Sequence, residues 1–136
     1  MPYRQLWEIG SKKVDPPHER SLQILYSPNP PEASFGLDKD RDITVLMSTI
    51  YPHGGQTGIH THEVDEIIFV TTGRGKGVEG DETFDIQPGT VIYAPAGVEH
   101  DCRNLSDQTM QMVCIYSPAL PSKTVKGIMQ DAQTRV

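Results

Sequence analysis

Two histidines, His60 and His62, sit two residues apart, and Glu66 follows four residues later, inside the run GGQTGIHTHEVDEIIFVTTG from Gly54 to Gly73. In an extended segment residues i and i+2 project from one face, so both imidazoles can close on a single ion. The same parity brings Glu66 to that face, provided no turn intervenes. Imidazole nitrogens with a carboxylate oxygen suit borderline first-row metals: iron, manganese, nickel, cobalt or zinc. Three such donors invite a fourth. His100 offers it from a second run, GTVIYAPAGVEHDCRN, where it follows the Pro95-Ala96-Gly97 turn. Four donors sharing one negative charge around a divalent ion leave a net charge of about +1, which attracts a carboxylate, an enolate or a deprotonated hydroxyl. Zinc with four protein ligands tends toward closed tetrahedral coordination, whereas an octahedral ion keeps positions for substrate, water or dioxygen. Iron, manganese, cobalt and nickel are therefore favoured for a catalytic site, with zinc left open. Glu66 is the one donor able to shuttle a proton, because the others are neutral imidazoles. An isolated H-x-H pair would carry no such reading. His18 and His53 are accordingly read as surface histidines, with a place for His53 at the border of the site left open.

The two runs have a joint pattern. The first reads G-x5-H-x-H-x3-E-x6-G over Gly54, His60, His62, Glu66 and Gly73. The second reads G-x5-P-x-G-x2-H-x3-N over Gly89, Pro95, Gly97, His100 and Asn104. Position for position, the chain resembles the cupin superfamily, in the compact form of its small single-domain bacterial members. The resemblance implies an all-β double-stranded β-helix, or jelly-roll barrel, with His60, His62, Glu66 and His100 holding one divalent transition metal ion in its mouth. Cupins include dioxygenases, decarboxylases, sugar isomerases, lyases, cyclases and members without catalysis, and neither fold nor metal shell selects among these. The expectation is a metal-dependent enzyme acting on a small oxygenated, anionic organic substrate, with Glu66 as the catalytic base. Dioxygenase chemistry stands slightly ahead of isomerase, lyase or cyclase chemistry. A non-catalytic metal-dependent binding protein is the alternative of a different class.

Strands must position these side chains. Tyr3 to Ile9 is aromatic-bearing and mildly alternating, as an edge strand would be. The charges and the Pro16-Pro17 pair of SKKVDPPHER break regularity before a strand over Leu22 to Ser27. The long loop that follows, with Pro28, Pro30, Pro31 and the charged segment Asp38 to Asp42, is expected to cover something such as the barrel mouth. Ile43 to Tyr51 is apolar on both parities and predicts a strand buried on both faces. Pro52 to Gly58 turns the chain toward His60. Asp65 to Thr72 predicts a strand whose Glu66 parity carries Ile68 and Val70. The G-x-G-x-x-G of Gly75, Gly77 and Gly80 precedes a short strand rather than a helix, so it is assigned to hairpin bends and not to a dinucleotide site. Val91 to Ala94, a strand opening at Glu99-His100, and Thr109 to Tyr116 complete the sheet pattern. Val125, Ile128, Met129 and Ala132 recur at helical spacing and predict a short C-terminal helix.

A length of 136 residues fits one domain, 1–136, divided into N-terminal strands and loop (1–42), barrel core (43–117) and tail (118–136). The net charge of −6 and the absence of any basic run argue against a nucleic-acid or anionic-membrane partner. The barrel also leaves no helix-turn-helix. The N-terminus has no apolar stretch of signal-peptide length, so the cytoplasm is the expected location. Cys102 and Cys114 are read as reduced packing residues on neighbouring antiparallel strands, offset from each other. Cys102 shares the face of His100, which leaves a place near the metal as its second reading. The partners expected are a small-molecule substrate and a second copy of the chain. The homodimer would form by edge pairing of the Tyr3–Ile9 strand, with Trp7 packed on the partner barrel.

Overall fold

Period-two alternation decides the architecture. In the computed structural model, which describes residues 3–37 and 41–133, the chain forms strands β1 (Lys12–Val14), β2 (Arg20–Tyr26), β3 (Thr44–Ile50), β4 (Asp65–Thr72), β5 (Gly75–Glu79), β6 (Glu82–Ile86), β7 (Val91–Ala94), β8 (His100–Asn104) and β9 (Met110–Ser117), followed by helix α1 (Ser122–Gln133). One antiparallel sheet has the order β1-β2-β3-β9-β4-β7, and the other has the order β6-β5-β8. The central strands of the large sheet turn alternate residues to the interior, as a sheet solvated on one face does. β3 buries Thr44, Leu46, Ser48 and Ile50; β4 buries Glu66, Ile68 and Val70; β9 buries Met110, Met112, Cys114 and Tyr116. Ile24, Ile86 and Val125 complete the same core from β2, β6 and α1. Each fully buried aliphatic side chain of this kind contributes about 1.5–3 kcal/mol. The result is an all-β jelly roll with one short C-terminal helix. No helix among the described residues is long and apolar enough to cross a membrane.

Gly75 shows why the small sheet needs glycine: a Cβ there would stand on the Arg103 carbonyl oxygen of the paired strand β8. The G-x-G-x-x-G run accordingly lies in the β5–β6 hairpin, with Gly80 at its turn. α1 forms as its spacing predicts, with Val125 and Ile128 buried.

Four expectations are corrected. Tyr3 to Ile9 is not a strand. It contains a 3₁₀ turn, Leu6–Glu8, which buries none of its residues, so no sheet face exists for alternation to serve. The Leu6 and Ile9 carbonyls instead accept hydrogen bonds from Gln23 Nε2 at 3.1 and 2.9 Å. The first strand is Lys12–Val14, because the Pro16-Pro17 turn folds it back on β2, pairing Lys12 with Leu22 and Val14 with Arg20. The long proline-rich loop does not cover the barrel mouth with any of its described residues. It makes a 3₁₀ turn, Pro31–Ser34, buries Ala33 and Ser34, and sets Phe35 under Arg4, whose guanidinium carbon lies 4.6 Å from the ring centre. Of the charged segment that ends the loop, residues 38–40 lie outside the described residues. β3 is buried on one face only, since Val45, Met47 and Thr49 are half-exposed. Finally, the two cysteines are not on neighbouring strands. The chain crosses between sheets after Asn104, so β8 pairs with β5, placing Cys102 opposite Gly77, while β9 lies between β3 and β4. Both are buried and unpaired.

Candidate metal centre

His60 and His100 face each other across an isolated antiparallel bridge, each main-chain N–H donating to the other's carbonyl at 3.1 and 3.0 Å. This bridge lays the segment around His60 beside β8, on the small sheet. The chain then bends at Glu63-Val64 and enters β4 on the large sheet. The condition that no turn should intervene is therefore not met, yet Glu66 still reaches the histidines, because the bend carries it across the gap between the sheets. Gly97 fixes that bend from outside. Its φ of 79° suits the turn after Pro95, and its N–H donates to the His62 carbonyl at 2.9 Å.

All four expected residues converge. One donor atom from each of His60, His62, Glu66 and His100 lies within 4.8 Å of the others. His60 Nε2 is 3.1 Å from His62 Nε2, His62 Nε2 is 3.4 Å from Glu66 Oε1, and His100 Nε2 is 3.0 Å from the same oxygen. Donors placed about 2.1 Å from a common centre stand roughly 3.0 Å apart at right angles and roughly 3.4 Å apart at tetrahedral angles, so these edges fit one first-row ion. The tautomers fit as well. His60 Nδ1 lies 2.6 Å from the Gly58 carbonyl and His100 Nδ1 lies 3.0 Å from the Val98 carbonyl. A carbonyl oxygen only accepts, so each Nδ1 carries the proton and each Nε2 is left with its lone pair toward the centre.

Burial sets the charges. Glu66 and His100 are each only 3% exposed. Burial alone would raise the Glu66 carboxyl, but hydrogen bonds from His100, His62 and Tyr116 outweigh it and hold the group down at about 2. Burial likewise works against His100, and its contact with Glu66 wins, so its pKa is raised. His60 is lowered, chiefly by burial, and is neutral at neutral pH. Tyr116, fully inside, is pushed well above its ordinary value by burial and stays a phenol. Its ring meets His62 edge-on, with centres 5.2 Å apart.

The histidines are held by a further layer of hydrogen bonds that the motifs do not reveal. Asp101, buried beside His100, accepts from the Gly58 N–H at 2.9 Å, from Thr57 Oγ1 at 3.1 Å and from Arg103 Nε at 2.9 Å. It thus anchors the turn whose carbonyl orients His60. The motif residue Asn104 donates from Nδ2 to the Ile50 and Gln108 carbonyls and accepts from Ser106, which ties β8 to β3.

The centre opens into a cavity of about 160 Å³ walled by Leu22, Leu46, Ile68, Met112, Leu120 and Ile128. α1, not the long loop, supplies its far wall. Cys102 and Cys114 both line it. Burial raises the Cys102 thiol to about 12 and Cys114 well above its ordinary value, so both remain thiols. His53 is exposed and His18 packs over Gly58, and neither lines the cavity. Arg20, Ser48 and Tyr116 do line it and were not singled out from the sequence. Each is a polar residue on a parity otherwise apolar: Arg20 with Leu22 and Ile24, Ser48 with Leu46 and Ile50, Tyr116 with Met112 and Cys114.

A jelly roll with three imidazoles and a carboxylate converging at the junction of its sheets defines a cupin-type protein. The sequence matches the Cupin domain family over residues 47–116, and the chain belongs to that family. Among its relatives, the L-ectoine synthase of Vibrio campbellii is 32% identical over 89 residues, which covers 65% of this chain and 69% of that one. Among solved structures, a predicted oxalate decarboxylase from Thermotoga maritima superposes with a TM-score of 0.69 at 17% identity, covering 84% of this chain and 96% of that one. KdgF from Halomonas sp. superposes with a TM-score of 0.65 at 18% identity, covering 85% and 92%.

Proposed function

We propose that this cupin is a metal-dependent enzyme acting on a small, oxygenated, anionic organic substrate, with one divalent transition ion held by His60, His62, Glu66 and His100. The observation that carries the reading is the convergence of three imidazole Nε2 atoms and Glu66 Oε1 on one point, with the His60 and His100 Nδ1 protons already committed to carbonyls. Iron, manganese, nickel and cobalt are the ions favoured, and zinc fits the same donors. When bound, such an ion supplies a Lewis acid that polarises a substrate oxygen.

The chain's own residues do the rest. The aliphatic walls exclude water, which strengthens every charge–charge contact inside. Glu66 is the proposed base, and the neighbouring Tyr116 phenol, held protonated by burial, helps keep it ionised. Two of the three donors that depress Glu66 are the imidazole nitrogens a metal would engage, which leaves Tyr116 as its standing donor. A merely structural ion would not need a cavity beside its carboxylate and phenol, and this supports a centre that meets a small molecule. Within the enzyme reading, lyase- or cyclase-type chemistry now stands ahead of the dioxygenase expectation, supported by a relative that is named a synthase.

Product analysis on metal-loaded protein, with and without oxygen, is the test. Glu66→Gln keeps a coordinating oxygen but cannot accept a proton at neutral pH. Per bound metal it should lose about 100- to 10,000-fold in turnover. Near-wild-type turnover would leave Glu66 a ligand only. Oxygen consumption matched to product would restore the oxygenase reading.

With the enzyme we propose a homodimer in the cytoplasm. The two buried, unpaired thiols support the location. Trp7, 81% exposed, supports the dimer, as do the outward side chains Ile67, Phe69, Val91 and Tyr93, which pair across β4 and β7 as one apolar patch on the outer sheet face. Such a flat patch meets its own copy about a two-fold axis. Light scattering on the full chain should give twice the chain mass, and Phe69→Glu should give the monomer. A monomeric wild type removes the proposal.

A further inference from the structure

The metal donors occupy one side of the cavity, and two polar residues on the β2–β3 wall are left without a role. Ser48 is buried, lines the cavity, and its hydroxyl has no hydrogen-bond partner among the described residues. Buried hydroxyls are ordinarily satisfied, and one that is not costs stability unless something else meets it. Arg20 lines the same cavity and is the one arginine or lysine that does so among the described residues. Its Nη1 donates to the His18 and Gln56 carbonyls at 3.2 and 3.3 Å, and among the described residues the Asp101 carboxylate acts on it only from beyond ion-pair distance. A guanidinium has five N–H donors, so those two bonds leave most of the fork available.

Register places the two residues together. Leu22 pairs directly with Ser48 across β2 and β3, and Arg20 is two residues from Leu22 on the same face. Arg20 and Ser48 are therefore diagonal neighbours, about 7 Å apart, within the span of an arginine side chain. Around them the wall is apolar, with Leu22, Leu46 and Met112, which strengthens a charge-assisted hydrogen bond formed there.

We propose that Arg20 and Ser48 form a carboxylate-binding subsite that fixes the substrate as a small carboxylic acid carrying a second oxygen donor for the metal centre: a dicarboxylate, or a hydroxy or keto acid. The carboxylate takes N–H donors from Arg20 and the Ser48 hydroxyl. The remaining oxygen faces His60, His62, Glu66 and His100, and the carbon skeleton lies along the aliphatic walls. This rests on the proposed metal-dependent function only for the second oxygen. The carboxylate subsite itself is a property of β2 and β3.

Calorimetric titration of the full chain with malonate and succinate, against malonamide and succinamide as uncharged partners of the same shape, tests it. Metal-loaded protein should bind the acids at least about 10-fold more tightly than the amides. Arg20→Gln should weaken acid binding by about 10- to 100-fold at unchanged metal content, and Arg20→Lys by less, because it keeps the charge but loses the fork. If Arg20→Gln does not fold, Ser48→Ala decides. It should weaken acid binding several-fold while raising the melting temperature of the ligand-free protein, a combination that a purely structural serine would not give. Equal binding of acids and amides by the wild type, binding of neither, or acid affinity untouched by these substitutions overturns the subsite. The same titrations on metal-free protein separate the two readings. An Arg20-dependent acid preference in a chain that takes up no metal would sink the metal-dependent function and keep the subsite, and metal uptake without that preference would do the reverse.

Discussion

The two sides of the cavity are built differently. On the metal side the donors belong to a closed hydrogen-bond arrangement: His60 on Gly58, Gly58 on Asp101, His100 on Val98 and on Glu66. On the β2–β3 side a serine hydroxyl stands without a partner among the described residues, beside an arginine held by two main-chain carbonyls. A closed arrangement keeps donors at fixed positions for an ion, whereas open hydrogen-bonding capacity in a buried wall is what a ligand group can complete. Substitutions on the two sides should therefore differ in the sign of their effect on the free protein.

The largest effect belongs to Asp101→Ala. It would leave the Gly58 N–H without its acceptor and the Thr57 hydroxyl with only the Gly58 carbonyl at 3.4 Å, and loosen the carbonyl that orients His60. About 2–4 kcal/mol of stability should be lost in chemical denaturation, together with roughly 10- to 100-fold in metal affinity. Unchanged metal affinity would mean the turn orients itself without Asp101.

Acidity gives an intermediate effect, and its sign follows from the direction of each shift. Glu66 is lowered from its ordinary 4.5 to about 2, so its contribution is present above 4.5 and is lost as pH falls toward 2. His100 is raised from 6.5, so its contribution is present below 6.5 and is lost as pH rises through its folded value. These two groups together favour metal-free protein most between about pH 4.5 and 6.5, while His60, lowered chiefly by burial, works against them as pH falls below 6.5. Metal binding requires His100 to give up its proton, so the stabilisation by metal should be small at the acid end of that window and grow toward about pH 8. Melting curves with and without chelator read both trends, and a metal effect that shrank as pH rose would contradict the assignment of His100. Ser48→Ala is the smallest: a gain of up to about 1 kcal/mol in the free protein, where any matching loss would show that the hydroxyl is already satisfied.

Legibility in the sequence followed the same divide. His60, His62, Glu66 and His100 are set by short spacings that survive the bend at Glu63-Val64, because the motif encodes the bend along with the ligands. The strand over Asp65 to Thr72 was legible from alternation to its ends. Arg20 and Ser48 lie in segments with no motif and meet only through the register of β2 on β3, which nothing local determines. Their trace was a polar residue on an apolar parity, and the same mark sits on Glu66 and Tyr116. The Tyr3–Ile9 segment failed for a related reason. Its alternation was real but had no sheet face to fill, while Lys12–Val14 gained a partner from the Pro16-Pro17 turn. The placing of the two cysteines on neighbouring strands failed because a hairpin and a crossover between sheets look alike at the turn after Asn104.

The central claim is that four residues hold one ion. Metal analysis of the full chain, purified without chelator and compared with His62→Ala, tests it most directly. About one divalent transition ion per chain is expected in the wild type, with a strong loss of occupancy when the Nε2 donor of His62 is removed. Full occupancy in His62→Ala, or a wild type that takes up no ion when one is supplied, would contradict it.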